Sequence, residues 1–589
     1  MTADEVISAV AEYPEGYAAV RSRFASARER ILQEAAFRPT LERLHSDAHL
    51  YMPSDFKHLT YSLYRVFDET GSRSEFQTEY YHRRHALAFW QLRVFLGIED
   101  SIRALEDTLW LIADEYSWSL PNHYGGIAHP DYPPRHYVDL LAAETAFAFA
   151  EADALVGDSL AAPLRQRLRE EVEQRVFSSY LTRRFSWDEE DNNWAAVCSG
   201  SVLMAAMYYL ETPEALAPFF RRGIPDIARY LASFGADGIC TEGLLCWNYG
   251  FGYFCAFADL LLVRSGYKAD WFSLPKVKAI ASFQNRAMLA NGLAVNFSDS
   301  SIASCNAGLT SYLYRRYGLP APQLPIGAPG QYGLGRFAPA LRRLVWTDWD
   351  CLQNPSPPPC GTWHYPDAGW SIFRRAGFAL AAKIGHNGEI HNHNDIGNFI
   401  FAVGEEAIFC DLGKGRFDAR YFLPEYTDNY IHLSSRGHSV PIIGGRLQGR
   451  GAAFRGRCMQ ADTDTLTYEL AEAYPCEGLQ SFQRQFCLTA EGFRLTDTFL
   501  FAETAVPVEE RFITKHMPQV LPDGTVKGGP VSLSHNTTHS PEIEAFTDDS
   551  ATAVYAIIYR FPAQKALSLC FRFCIETPPV PPEKLPLAK

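Results

Sequence analysis

The chain has 589 residues, of which 47% are hydrophobic and 21% charged, and its net charge is −14. That length exceeds what one hydrophobic core supports, so two or three domains are expected, and the composition excludes a disordered chain. An acidic total without a basic stripe argues against a nucleic-acid partner, and no apolar run reaches the roughly 18 residues of a membrane span.

The N-terminal MTADEVISAV is acidic where a signal peptide is basic, which makes a cytoplasmic location the default expectation. The first 335 or so residues are expected to be mostly helical. Stretches 138–156, 163–180 and 201–211 carry apolar residues at helical spacing, and many helices of similar length joined by Gly/Pro-rich loops fit an array of antiparallel hairpins. QNPSPPPCGTW (353–363) cannot continue a helix, which marks a boundary. Beyond it come short alternating runs such as GFALAAKIG, GFRLTDTFLFA, AVYAIIYRF and ALSLCFRFCIE, with turns such as PDGT (522–525). These predict an antiparallel sandwich. The expected division is a helical domain over 1–345 and a β domain over 346–589. The 13 cysteines include no CxxC pair, which suits reduced, buried thiols. Aromatics make up 14% of the chain, a supply that serves sugar stacking as well as core packing.

The densest chemical signal is His386-Asn387 followed by His391-Asn392-His393-Asn394-Asp395, with Asp411 and His438 further on. On a strand, His391, His393 and Asp395 share one face. Two imidazoles and a carboxylate can make a zinc site; clustered histidines can equally form a metal-free catalytic platform or pack structurally.

The run HNHNDIGNFIFAVGEEAIFCDLGKGRFD (391–418) resembles the signature that opens the β domain of heparinase II/III-type polysaccharide lyases. WHYPDAGWSIFRR (363–375) resembles the preceding first strand of that family and GHSVPIIGGRLQ (437–448) its later histidine strand. In the helical half, Asp191-Asn192-Asn193-Trp194 resembles the family's cleft element. DGICTEGLLCWNYGFGYF (237–254) resembles the segment that supplies its tyrosine, and WSLPNH (118–123) matches weakly. The resemblance implies an (α/α) toroid, an incomplete barrel of helical hairpins, followed by an antiparallel β-sandwich.

It also implies β-elimination at a uronic acid, in which the C5 proton is removed and the group at C4 is expelled. The substrate carboxylate must then be neutralised so that charge can develop as an enolate. By resemblance Asn193 neutralises the carboxylate, Tyr249 is base and acid, and His391 reaches into the cleft. His123, Asn192, Trp194, Glu242, Trp247 and Tyr253 are expected to contact substrate. His393, Asp411 and His438 match the positions that hold a structural zinc; no organic cofactor is implied.

Several alternatives stay open at this level. Tyr253 can replace Tyr249, His391 and His393 can exchange roles, and Asn192 and Asn193 can simply cap the helix that follows. Trp194 stands where some relatives carry a histidine, and Cys246 where many carry an aromatic residue. The expected partner is an anionic poly- or oligosaccharide, with no nucleic acid and no membrane. A homodimer is compatible with an exposed sandwich edge. Two other classes fit the same architecture: a glycoside hydrolase, which needs a flanking carboxylate pair, and a non-catalytic glycan-binding protein.

Overall fold

The computed structural model describes residues 1–124, 133–301, 306–324, 337–502 and 504–576. Helices dominate up to Trp349–Gln353, and the strands of the β domain begin at Gly361–Tyr365. The change falls on the proline-rich 354–360, where ring-locked φ angles and missing N–H donors prevent a helix.

Three long helices, Leu140–Val156, Asn193–Tyr209 and Leu244–Arg264, pack side by side in the interior of the helical domain. Their sequences are apolar on all sides, which is what a helix enclosed by other helices requires. Sixteen of the 17 residues of Asn193–Tyr209 are buried, and Trp194 is the exception. Each start is set locally. Asp139 accepts a hydrogen bond from the Ala142 N–H, Asn192 accepts one from Trp194, and Gly243, at φ 86°, turns the chain into the third helix. Deeper in, Glu151 pairs with Arg342 at 2.8 Å and accepts from the Tyr208 hydroxyl at 2.9 Å. Neither charge of that buried pair is left uncompensated.

The β domain is a stack of antiparallel sheets. A five-stranded sheet runs Gly361–Tyr365, Trp370–Arg375, Phe378–Lys383, Phe399–Val403, Glu406–Phe409, each strand pairing with the next. An eight-stranded sheet is built around Leu479–Thr489, Gly492–Phe501 and Ala566–Ile575, and a four-stranded sheet contains Val508–Thr514 and Ala553–Phe561. Inward positions alternate with outward ones, and the inward set is a phenylalanine core in which Phe493 stacks on Phe573 at 4.4 Å. The expected strands at 377–385, 492–502, 553–561 and 566–576 are all present, and PDGT joins two short strands.

The five-stranded sheet joins the two domains. Trp370 packs against Phe283 and Phe297, and the Arg374 guanidinium donates to the Met288 and Arg286 carbonyls at 2.6 Å each. From the other side the buried Arg484 donates to the carbonyls of Gly397 and Ser439, at 3.1 and 2.6 Å. One core arginine thus fixes the two loops that carry the histidine motifs. Among the described residues no helix is long and apolar enough to cross a membrane, and the 12 described cysteines are all free.

Candidate active site

The segment 391–395 is a loop rather than the expected strand. His391 sits in the left-handed region at φ 57°, a conformation that costs a non-glycine residue of order 1–3 kcal/mol and persists only where its surroundings hold it. Here the holder is Asp299, from the far end of the helical domain. Its N–H donates to the His391 carbonyl at 3.2 Å, and its Oδ2 lies 2.8 Å from His391 Nδ1. Asp299 Oδ1 lies 3.2 Å from His393 Nε2 and accepts from the Tyr421 hydroxyl at 2.5 Å. His391 and His393 therefore meet through one carboxylate rather than one strand face.

That carboxylate is almost fully buried, and burial alone raises its pKa. The His391 and His393 hydrogen bonds outweigh burial and hold it well below the usual range. Burial also works against a charged His391. The Asp299 hydrogen bond and the Glu242 and Asp299 charges overcome that and raise its pKa. With Nδ1 held by Asp299, His391 Nε2 is left facing Glu242 at 3.6 Å.

Glu242 in turn accepts from the Asn193 amide at 3.3 Å. Burial raises the Glu242 pKa, opposed by the nearby His391. Asn193 is the first residue of its helix while Asn192 does the capping, so the Asn193 side chain is free of the cap and turned to Glu242. A path of side chains thus runs Asn193, Glu242, His391, Asp299, crossing from the helical to the β domain.

Tyr249 lies beside this path. A Cβ added to the next residue, Gly250, would stand 2.7 Å from the Asn193 Cβ, so the two helices touch where both groups emerge. The Tyr249 hydroxyl donates to Glu144 Oε1 at 2.6 Å, and Tyr253 packs edge-on behind its ring at 5.5 Å. His123 Nδ1 lies 2.7 Å from the accepting Asp139 Oδ2, and its ring meets the Trp194 ring edge-on at 4.8 Å. Trp194 is the part-exposed residue of its helix, so it and His123 form an aromatic wall by the helix start.

Two expected substrate contacts are placed in the core instead. Trp247 is fully buried with its Nε1–H on the Ile280 carbonyl, and Tyr253 is 3% exposed. Asn192 is engaged by Trp194 and by Glu190, at 2.8 and 2.6 Å.

His393, Asp411 and His438 converge, with one ligand atom from each lying within 4.8 Å of the others. Their chemistry fits a metal ion. His393 uses Nε2 on Asp299, and its buried Nδ1 has no partner among the described residues. His438 uses Nε2 on the His432 carbonyl at 2.8 Å, leaving Nδ1 3.4 Å from Asp411. Outer partners that fix ring orientation in this way are the habit of metal-binding histidines. Burial disfavours charge on His438, yet Asp411 and Asp395 raise its pKa. Asp395, expected to share a face with His391 and His393, pairs with the buried Lys383 at 2.6 Å and lies 3.7 Å from His438 Nδ1.

Sequence reasoning missed Asp299, Tyr421 and Glu144. Glu144 carried a signal, being a carboxylate in an otherwise apolar helix, which demands a partner. Asp299 carried none, since NFSDSS is an ordinary loop sequence.

Comparisons with known proteins bear on the fold. Residues 357–555 match the family model described as heparinase II/III-like, C-terminal. The β domain is thus similar to the heparinase II/III-like C-terminal domain. The chain as a whole superposes on a heparinase III with TM-score 0.59 at 12% identity, covering 91% of this chain and 84% of that one. It superposes on the heparan sulfate lyase HepC of Pedobacter heparinus with TM-score 0.57 at 14% identity, covering 95% and 89%. A Streptomyces coelicolor A3 chondroitin AC lyase gives TM-score 0.52 at 11% identity, covering 94% and 83%. The shared fold is an (α/α) toroid followed by a β-sandwich. No curated protein matches the chain by sequence.

Proposed function

We propose that this protein is a polysaccharide lyase that cleaves a uronic-acid-containing glycan by β-elimination. One observation carries the reading: Asn193, Glu242 and His391 converge from two domains, next to a tyrosine already hydrogen-bonded to a buried carboxylate. The resemblance to heparinase II/III-type lyases supports it.

The substrate carboxylate is received by the Asn193 amide, by Glu242 in its protonated form and by the His391 imidazolium. All three are donors, so they stabilise the enolate that forms when C5 loses its proton. Burial raises the Glu242 pKa, and the Asp299 hydrogen bond together with the Glu242 and Asp299 charges outweighs burial to raise that of His391.

Tyr249 takes the C5 proton on its phenol oxygen while its own proton moves toward Glu144. The C4–C5 double bond forms as the C4–O bond breaks. The same phenol then returns a proton to the leaving oxygen, so one group acts as base and then as acid on one face of the sugar. Trp194 and His123 line the approach. His393, Asp411 and His438 would hold a zinc ion, which would cross-link the segments that carry them.

The test is ultraviolet absorbance of the unsaturated uronate. Purified protein is incubated with heparan sulfate, chondroitin sulfate, alginate and their oligosaccharides, with Tyr249→Phe alongside. Absorbance that grows with the wild type and not with the variant supports the reading. Release of reducing ends without absorbance would assign a hydrolase instead.

A further inference from the structure

The helix Leu244–Arg264 carries Tyr249 near its N-terminal end, and its other end borders a second pocket. Asp259, which lines that pocket, stands about 15 Å beyond Tyr249 along the helix axis. The pocket, of about 480 Å³, lies between this helix end, the helices Gly16–Ser22 and Ala25–Gln33 near the N-terminus, and the helix Ala307–Tyr317. Its volume falls within the roughly 300–1,000 Å³ of small-molecule sites. None of its lining residues belongs to the cleft or to the cluster of His393, Asp411 and His438.

An ion pair forms its floor. Arg23 pairs with Asp259, the two side chains being 7% and 13% exposed, and the Tyr312 hydroxyl donates to Asp259 Oδ1 at 3.2 Å. Arg23 Nη1 is buried and has no partner among the described residues, a costly state for a guanidinium donor until something accepts from it. The walls are aromatic. The Arg23 guanidinium lies 4.4 Å from the Phe24 ring centre, and the Tyr312 and Trp346 rings are 4.5 Å apart. At the rim stands Tyr267, which is 71% exposed and held at φ 67°. A residue with a side chain is uncommon in that left-handed region, and such outliers concentrate at ligand clamps. Arg315 shares the rim and donates to the Trp346 carbonyl at 2.9 Å. Its ion-pair partner Asp348, 3.8 Å away, lies outside the lining. Two arginines against one carboxylate therefore face the pocket, which suits an anion.

We propose that this pocket is a second glycan-binding site, separate from the cleft, that holds one uronate-bearing sugar. Arg23 and Arg315 receive the carboxylate, Asp259 accepts from a ring hydroxyl, and Tyr267 packs against the C–H face. The site anchors an anionic polysaccharide on the far end of the helical domain, which raises the effective concentration of the same chain at the cleft. The inference rests on the lyase reading only for the class of sugar.

Calorimetric titration of the full-length Tyr249→Phe protein tests it, with hexasaccharides of heparan sulfate, chondroitin sulfate and alginate and with the neutral maltohexaose alongside. An acidic hexasaccharide is expected to occupy a site that Tyr267→Ala weakens about tenfold or more, at unchanged Tm because the ring is exposed. Maltohexaose is expected to leave that site empty. In the otherwise wild-type enzyme, Tyr267→Ala is expected to leave kcat on a short oligosaccharide unchanged. Binding that Tyr267→Ala does not weaken, binding of none of the acidic hexasaccharides, or equal binding of maltohexaose overturns the pocket. A kcat that falls in Tyr267→Ala overturns its separation from the cleft. If no glycan is cleaved by the wild type, the lyase reading falls, and a site lost in Tyr267→Ala still establishes the pocket.

Discussion

Asp299 Oδ2 sits 2.8 Å from His391 Nδ1 while its other oxygen faces His393 Nε2 at 3.2 Å. One carboxylate of the helical domain therefore sets the orientation of the cleft histidine and of a triad histidine in the β domain. Asp299→Asn keeps the shape and removes the charge. By analogy with outer partners of functional histidines, it is expected to lower kcat by roughly 10- to 100-fold, with KM little changed and the fold intact by circular dichroism. Wild-type kcat in that variant would rule out a positioning role for Asp299.

In the proposed mechanism Tyr249 and Glu144 form the proton path. Tyr249→Phe deletes the acid–base group and is expected to cost about 10²- to 10⁴-fold in kcat. Glu144→Gln leaves an acceptor for the phenol hydrogen bond but cannot take a proton, so it is expected to slow elimination while substrate binding persists. Kinetics of both variants on one defined oligosaccharide decide this, and full activity in Glu144→Gln contradicts the relay.

Glu242 links catalysis to stability. Burial raises its folded-state pKa above the ordinary value of 4.5, so over the window that begins there the folded protein holds a proton the unfolded chain has lost. Stability contributed by this residue therefore falls as pH rises through that window. Glu242→Gln is expected to raise Tm at pH 8, to leave it unchanged at pH 4, and to impair turnover. A Tm that falls equally at both pH values would contradict a protonated Glu242.

The triad of His393, Asp411 and His438 is expected to hold about one zinc ion per chain. Elemental analysis of the purified protein measures this directly. Chelation is expected to lower Tm, and His438→Ala to purify without zinc and melt earlier. Protein that carries no metal and whose Tm ignores chelator would show that a buried proton, held by Asp411 and Asp395, is all the cluster needs.

Much of this was legible in the sequence, for physical reasons. The proline run at 355–359 and the two-residue alternation beyond it announced the switch from helix to sheet, because both are local properties of the chain. The spacing of His391 and His393 with the later Asp411 and His438 announced a cluster. The part that was hidden is set by tertiary contact. Asp299 comes from more than 90 residues upstream of His391 with no motif around it. The loop conformation at His391 is imposed by Asp299 and not by any local glycine or proline. Trp247 and Tyr253 read as cleft residues because the helix Leu244–Arg264 is apolar on every side, so its sequence has no periodicity to tell an inward face from the cleft.

The most direct test of β-elimination is the mass balance of one cut. A defined uronic-acid oligosaccharide that the protein consumes is digested to completion and the products are weighed by mass spectrometry. β-Elimination moves a proton and breaks a bond without adding water, so the product masses are predicted to sum to that of the substrate, with one product carrying an unsaturated uronate. Products that sum to the substrate plus one water would mean hydrolysis, and would contradict the roles of Tyr249, Asn193 and His391 in elimination.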